Sequence, residues 1–377
     1  MKKIIVLAVL LITCIIPIST YAQEGNYLDV KIGKSYLNNE TAKINSTKDI
    51  YIVDSDLNKI QNLNTKEVLV TLKNNKIEFK SNNQVFSSDF PQNGSLLIGT
   101  DDYFKMTNTY RGYISYRVVN NKLAIINHVE MEDYLKGVIP KELSPSYPED
   151  ALKAQAICSR SFALKNINKY KKYGYNLDDT TNSQVYRGKT VEDIRTNKAV
   201  DETKGLVAKY NEEIANTIFG ASSGGKTANA QEVWGGNSVL YLSSMEDPYS
   251  TKYIWEHSVD KNKINDVLLK NKINVGNFLN FNVAEKDVSG RNKTIEIIGT
   301  EKTEKITGNK FRNIFGNTNL KSTLFDIINS DEKITFSGKG YGHGVGMSQY
   351  GAVEMAKQGK NYIDIITFYF PGVTLNK

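Results

Sequence analysis

"MEDYLKGVIPKELSPSYPEDALKAQAICSRSFAL", Met131 to Leu164, is where the chain changes its period. Before it, from Tyr27 to about Val129, apolar and polar residues alternate in "YLDVKI", "DIYIV", "EVLVTLKNNKIEFKS" and "YISYRVVNNKLAIINHV", with Asn-Asn pairs where hairpin turns belong. From Glu132 the spacing becomes helical. A long helix is expected from Pro148 to about Tyr170, with Ser146 as N-cap, Pro148 in the first turn and Glu149 completing a capping box. Downstream, "GLVAKYNEEIANTIFGA" reads as a hairpin running into a glycine-rich "SSGG" loop. "KTIEIIGT" reads as a strand and "GNKFRNIFG" as a short element. "GKGYGHGVGMSQYG" reads as a glycine-punctuated turn ahead of a helix over Ala352 to Lys357 and a short apolar segment, "YIDIITFYF". Strands and helices do not alternate in βαβ fashion, so the expected class is α+β: an antiparallel β-rich N-terminal region (23–125) packed with a mixed α/β catalytic core (126–377).

The first 22 residues read as a secretory signal peptide. Lys2 and Lys3 precede an apolar run from Ile4 to Ile18, and Thr20-Tyr21-Ala22 offers a small-x-small cleavage site, so the mature chain is expected to begin near Gln23. Pro17, Ser19 and Thr20 interrupt the run below the ~20 apolar residues of a membrane span. The expected location is therefore the extracytoplasmic face of the membrane or the cell wall. Without the leader, Cys158 is the sole cysteine, which excludes an intramolecular disulfide and a cysteine-rich zinc site. The charge balance is 48 Lys+Arg against 41 Asp+Glu, interspersed along the chain with no basic block. That pattern argues against nucleic acid and is compatible with an acidic envelope polymer.

Several residues stand out chemically. Arg160 has Ala156, Ile157, Ala163 and Leu164 as helical neighbours, and Gln155 lies on a similar small-residue face. A guanidinium there needs a partner, either a core carboxylate or a group at a site. Glu142 lies in "GVIPKELSP", where Pro140 and Pro145 limit the backbone and Val138, Ile139 and Leu143 can enclose the carboxyl. Desolvation raises a carboxyl pKa, which an acid catalyst of glycosidic cleavage requires. His343 stands among glycines 340, 342, 344 and 346, a density that permits unusual dihedrals or close packing; Tyr341 and Tyr350 beside it suit sugar stacking or core packing. A rival pattern, "GASSG" from Gly220 to Gly224, fits G-x-S-x-G, with Ser222, Asp247 and His343 in the chain order of a hydrolase triad. Its antiparallel context and the lack of an HGG-type loop argue against that reading.

Beyond these residues, five ordered blocks carry a family resemblance: the opening stretch, "TNSQVYRG", "SSGGKTANAQEVWGGNSVLYLSSMEDPY", "LKSTLFDI" and "GKGYGHGVGMSQYGAVEMAKQGKNYIDIITFYFPGVTL". From about Glu130 to Leu375 the chain resembles the stage II sporulation protein D (SpoIID/LytB) family. The resemblance implies a lytic transglycosylase that cuts the MurNAc–GlcNAc bond of peptidoglycan strands stripped of stem peptides, leaving 1,6-anhydroMurNAc ends, in forespore engulfment. It implies Glu142 as the catalytic acid, and Arg160, Gln155, Gln184, Tyr186, Ser222, Ser223, Gly224, His343 and Gln349 as residues of the substrate cleft. No cofactor is implied. Some members bind zinc through Cys and His before Gln-Val-Tyr, but this chain reads "NLDDTTNSQVY", so no metal is expected. Expected partners are the glycan strands, a cell-wall amidase and other engulfment proteins. The LytB side of the family leaves a second reading open, a non-catalytic glycan-binding enhancer of an amidase. Under the first reading Arg160 is expected either to recognise the lactyl carboxylate of MurNAc, since a guanidinium pairs with carboxylates bidentately, or to pair with Glu142; a cation there would lower the glutamate pKa and oppose an acid role, which favours the substrate contact.

Overall fold

The computed structural model describes residues 27–74, 76–82, 84–86 and 96–377; the expected leader lies outside them. The fold is α+β. Among the described residues are the helices α1 (Met131–Glu142), α2 (Glu149–Lys165), α3 (Ile194–Glu202), α4 (Ala230–Trp234), α5 (Lys261–Lys270), α6 (Gly308–Phe315), α7 (Gln349–Lys357) and α8 (Tyr362–Tyr369). The chain divides into two compact units. One runs up to Val138 and resumes over Ile167–Glu192; the other holds Ile139–Asn166 and Asp193–Lys377. The stretch 126–377 thus contributes residues to both.

The first unit is the β region read from alternation. A seven-stranded sheet has the order Leu177–Asp178, Tyr27–Tyr36, Lys122–Glu130, Tyr113–Val119, Leu97–Thr100, Ile50–Val53, Lys59–Asn62; only the first pair is parallel. A second, six-stranded sheet includes Thr41–Ser46, Glu67–Lys73 and Lys76–Ser81. The Asn-Asn signal holds where the turn is described. Val119 faces Lys122 across the hairpin, and Asn120 and Asn121 take φ of 50° and 58°, the positive values a type I′ turn needs. Alternate residues of Glu67–Lys73 are buried, so Val68, Val70 and Leu72 line the core face.

The second unit is organised around α2. Eleven of its seventeen residues are buried, among them Ala151, Leu152, Ala154, Ile157 and Ala163. A helix buried on nearly every side needs small residues where neighbours approach closely, and this accounts for its alanines. Ala154, Ile157 and Cys158 pack with Met347, Met355, Ile365, Ile366, Tyr369 and Phe370, so the C-terminal helices cover one flank. The segment "YIDIITFYF" is α8, capped by a reciprocal Asn361/Asp364 box. A separate aromatic core of Phe278, Phe281, Phe311, Phe315, Phe325 and Phe336 holds together the strands and helices between Ile254 and Lys339.

Two local expectations are corrected. The capping box at α2 does not form: Pro148 is the N-cap residue, and no side chain caps the helix. Glu149 instead pairs with Lys153 at 2.8 Å and Lys198 at 3.0 Å, while the Ser144 and Ser146 hydroxyls bond each other at 2.9 Å. The second concerns Pro140. It stands inside α1, so Ile139 is helical rather than extended, and the helix ends only at Glu142. Proline costs a helix one N–H and crowds the preceding turn, and here the helix runs just two residues beyond it.

Candidate functional site

Glu142 is the last residue of α1, half-buried and followed by buried Leu143. The last carbonyls of a helix lack intrahelical donors, and the structure supplies one from afar. The Gln349 side-chain amide, at the start of α7, donates to the Glu142 carbonyl at 3.0 Å and to Gln155 Oε1 at 3.2 Å. Gln155 is fully buried on α2, and its own side-chain N–H donates to Ser159 Oγ at 3.1 Å. Three of the expected residues, Glu142, Gln155 and Gln349, are therefore brought together by direct bonds. One joins residues 207 positions apart in the chain.

The turn before Gln349 owes its shape to glycine. Gly340, Gly342, Gly344 and Gly346 take φ of 75°, 102°, 79° and 70°, values that side chains with a Cβ rarely adopt. At Gly344 a Cβ would also stand 2.1 Å from the Arg291 guanidinium. Arg291 is 1% exposed and donates to the carbonyls of Lys226 (3.0 Å) and Ser223 (2.5 Å) and to Ser289 Oγ (2.8 Å). Burial pulls its pKa down to about 10. This arginine, which sequence reading missed, ties the "SSGG" loop to the glycine turn.

Ser222, Ser223 and Gly224 are buried and bonded internally. Ser222 Oγ pairs with Ser250 Oγ at 2.8 Å, which Ser348 Oγ also reaches at 2.8 Å. Ser223 Oγ donates to Asp247 at 2.6 Å, and the Tyr369 hydroxyl approaches both oxygens of that carboxylate at 3.1 Å. Desolvation raises the Asp247 pKa against the pull of these donors. The rival triad does not form: the carboxylate serves Ser223 and Tyr369, Ser222 faces another serine, and the strand Phe219–Gly220 runs into a loop rather than a helix. The serines are thus bonded to one another and to Asp247.

His343 is also a framing residue. Its Nδ1 accepts the Val345 N–H at 3.0 Å, and the ring also bonds the Phe219 backbone. Burial first, and the Arg291 charge second, hold its pKa down at about 4. Its ring lies 5.0 Å from that of Trp234, an indole that is 53% exposed and was not singled out in the sequence.

Arg160 is buried on α2 and bonds backbone. Its side chain is 1% exposed, with Nη1 donating to the Leu206 carbonyl at 3.0 Å and Nη2 at 3.5 Å from that of Val200, the outer limit of a hydrogen bond. Two of its donors are thus engaged with backbone. Gln184 and Tyr186 belong to the first unit and are buried: Gln184 accepts from the Tyr134 hydroxyl at 3.1 Å, and Tyr186 donates to Asn127 at 2.8 Å. Both side chains are thus bonded within that unit. No group of three or more His, Cys, Asp or Glu able to hold a metal occurs among the described residues.

Comparison with known proteins agrees with these blocks. A family model described as stage II sporulation protein (SpoIID) matches residues 119–210. Stage II sporulation protein D of Bacillus subtilis is 30% identical over 281 residues, covering 70% of this chain and 78% of that one. The chain belongs to the SpoIID family. An uncharacterized protein of Brachyspira hyodysenteriae is 33% identical over 287 residues, 74% of this chain and 76% of that protein. The amidase enhancer of Bacillus subtilis is 32% identical over 289 residues, 64% of this SpoIID-family chain but only 40% of that longer protein. A domain of unknown function (DUF8618) matches residues 243–346, which include the aromatic core.

Proposed function

We propose that this chain is a peptidoglycan lytic transglycosylase with Glu142 as its acid and base. It would act on glycan strands lacking stem peptides, on the extracytoplasmic side of the membrane, in sporulation alongside a cell-wall amidase and other engulfment proteins. The observation that carries the reading is the Gln349 amide gripping the Glu142 carbonyl at 3.0 Å. It supports a glutamate whose backbone is fixed at once by the end of α1 and by the residue that follows the glycine-shaped turn. Names among the relatives, stage II sporulation protein D above all, support the biological setting.

One such carboxyl suffices for the chemistry. Glu142 gives its proton to the bridging oxygen as the bond from MurNAc C1 to that oxygen breaks. The carboxylate left behind then takes the proton of the MurNAc C6 hydroxyl as O6 bonds C1. The acid is regenerated, no water is consumed and a 1,6-anhydro ring results. Ordinary glycosidases need a second carboxylate as nucleophile or to activate water. Here the sugar's own hydroxyl takes that part. A positioned acid/base contributes ~10²–10⁴-fold, with orientation of the sugar supplying further rate.

The test is mass analysis of products from denuded glycan. Wild-type protein is expected to release anhydro-disaccharides and Glu142→Gln none. Equal release by both would refute Glu142 as the acid. The name of the amidase enhancer favours one second reading, a glycan-binding enhancer of an amidase. In that case the wild-type chain binds glycan, releases nothing alone and raises the rate of an added amidase.

A further inference from the structure

Beside the Glu142 cluster lies a surface of tyrosines that the proton-transfer scheme does not use. Tyr253 is at its centre, with ring centroids 5.8 Å from Tyr341 and 5.5 Å from Tyr350, inclined at 34° and 31°. Tyr350 is 43% exposed, and its hydroxyl shares a hydrogen bond with Tyr147. Tyr253 and Tyr341 are half-buried. The group is next to the candidate acid by connectivity: Tyr147 follows Glu142 by five residues, and Tyr350 adjoins Gln349, which holds the Glu142 carbonyl.

These rings are held in place by the glycine turn. The Tyr253 carbonyl accepts the Gly340 N–H at 2.8 Å, Tyr341 exchanges backbone bonds with Ser222 at 3.0 and 2.9 Å, and the Tyr350 N–H donates to the Ala221 carbonyl at 3.0 Å. A lysine joins the same frame. The Lys321 carbonyl accepts the Gly342 N–H at 2.8 Å, and its ammonium lies 5.3 Å from the Tyr253 ring centre and 3.3 Å from the Tyr253 hydroxyl. Neighbouring Lys252 is paired with Glu354 at 3.6 Å. Lys321 has no such carboxylate among the described residues; its contacts are with the tyrosine.

We infer that this surface is a subsite for an anionic N-acetylated glycan, on which pyranose faces stack against Tyr253, Tyr341 and Tyr350 while Lys321 binds a carboxylate carried by the sugar. The inference rests on the glycan reading of the site and adds to it the residue that tells an acidic strand from a neutral one. Aromatic faces supply contact area to either polymer, because each presents axial C–H groups. A half-buried ammonium without an anionic partner distinguishes them, since only the acidic strand brings a carboxylate to pair with it. In a denuded strand that carboxylate is the lactyl group of MurNAc.

The experiment uses the full chain carrying Glu142→Gln, which holds the ligand uncut. It is titrated calorimetrically with a denuded GlcNAc-MurNAc hexasaccharide and with chitohexaose, the neutral polymer of the same length. Adding Lys321→Met is expected to weaken the acidic ligand roughly tenfold or more and to leave chitohexaose within about twofold. Adding Tyr350→Ala is expected to weaken both. Equal weakening of both ligands by Lys321→Met reduces the lysine to a prop for Tyr253 and overturns the inference, as does no change in either. The two readings fail separately. Anhydro-disaccharide release by wild-type chain, combined with an unaltered Lys321→Met titration, sinks the subsite alone. A Lys321-dependent preference in a wild-type chain that releases nothing supports the subsite and sinks the cleavage chemistry.

Discussion

Gln349→Leu removes both bonds of the amide that joins Glu142 to Gln155, so its consequences can be worked through. The partner left behind at Gln155 Oε1 belongs to a residue with no exposed surface, and water cannot take over the lost donor. A buried acceptor stripped of its donor costs about 1–3 kcal/mol, and the Glu142 carbonyl, on a half-buried residue, adds less. A loss of about 2 kcal/mol is therefore expected, read as a lower urea midpoint at unchanged slope. Gln155→Leu alone should cost a similar amount. The double variant replaces both partners by apolar groups, which is close to neutral when shape is kept, so it should be more stable than the sum of the single losses by about 1 kcal/mol. Activity offers a second readout, because the carboxyl itself is untouched. Loosening the chain that carries it is expected to lower kcat on denuded glycan by about 10²-fold, the usual cost of a displacement near 1 Å. The stability argument is refuted if the two substitutions are additive within about 0.3–0.5 kcal/mol. The positioning argument is refuted if kcat is unchanged.

Two more expectations follow from the framing residues. His343 has a folded pKa of about 4 against an ordinary 6.5, so between those values the unfolded chain binds a proton that the folded chain refuses. Stability is full above about pH 6.5 and falls as the pH drops toward 4, by about 3 kcal/mol at about 1.4 kcal/mol per unit. His343→Asn should flatten this part of a chemical-denaturation profile, and parallel profiles would show that the imidazole is not the group responsible. Arg160→Lys keeps the charge but loses the fork facing the Leu206 and Val200 carbonyls; a stability loss of about 2 kcal/mol is expected, with glycan affinity of the folded protein unchanged. Lost affinity at full stability would return Arg160 to the glycan.

What the sequence determined by itself follows from local forces. "YISYRVVNNKLAIINHV" demanded a hairpin, because two strand-forming runs flank an Asn-Asn pair that tolerates positive φ, although packing buries Leu123 to Val129 on both faces. The helical spacing of "ALKAQAICSRSFAL" demanded a helix with small residues on several faces, and the alternating glycines of 340–346 announced a backbone that other residues resist. Fold class and the glycine turn were thus readable. Which polar side chains meet was not, since hydrogen-bond partners depend on where distant segments dock. Tertiary structure alone brought Arg160 Nη1 to the Leu206 carbonyl, set His343 Nδ1 on the Val345 N–H and gave the Glu142 carbonyl to Gln349. It also assembled Tyr253, Lys321 and the Tyr341–Tyr350 stretch from three separate segments. A periodic pattern records how each segment divides its own faces between core and solvent, whereas a site is a meeting of segments, and its geometry exists only once the core has packed.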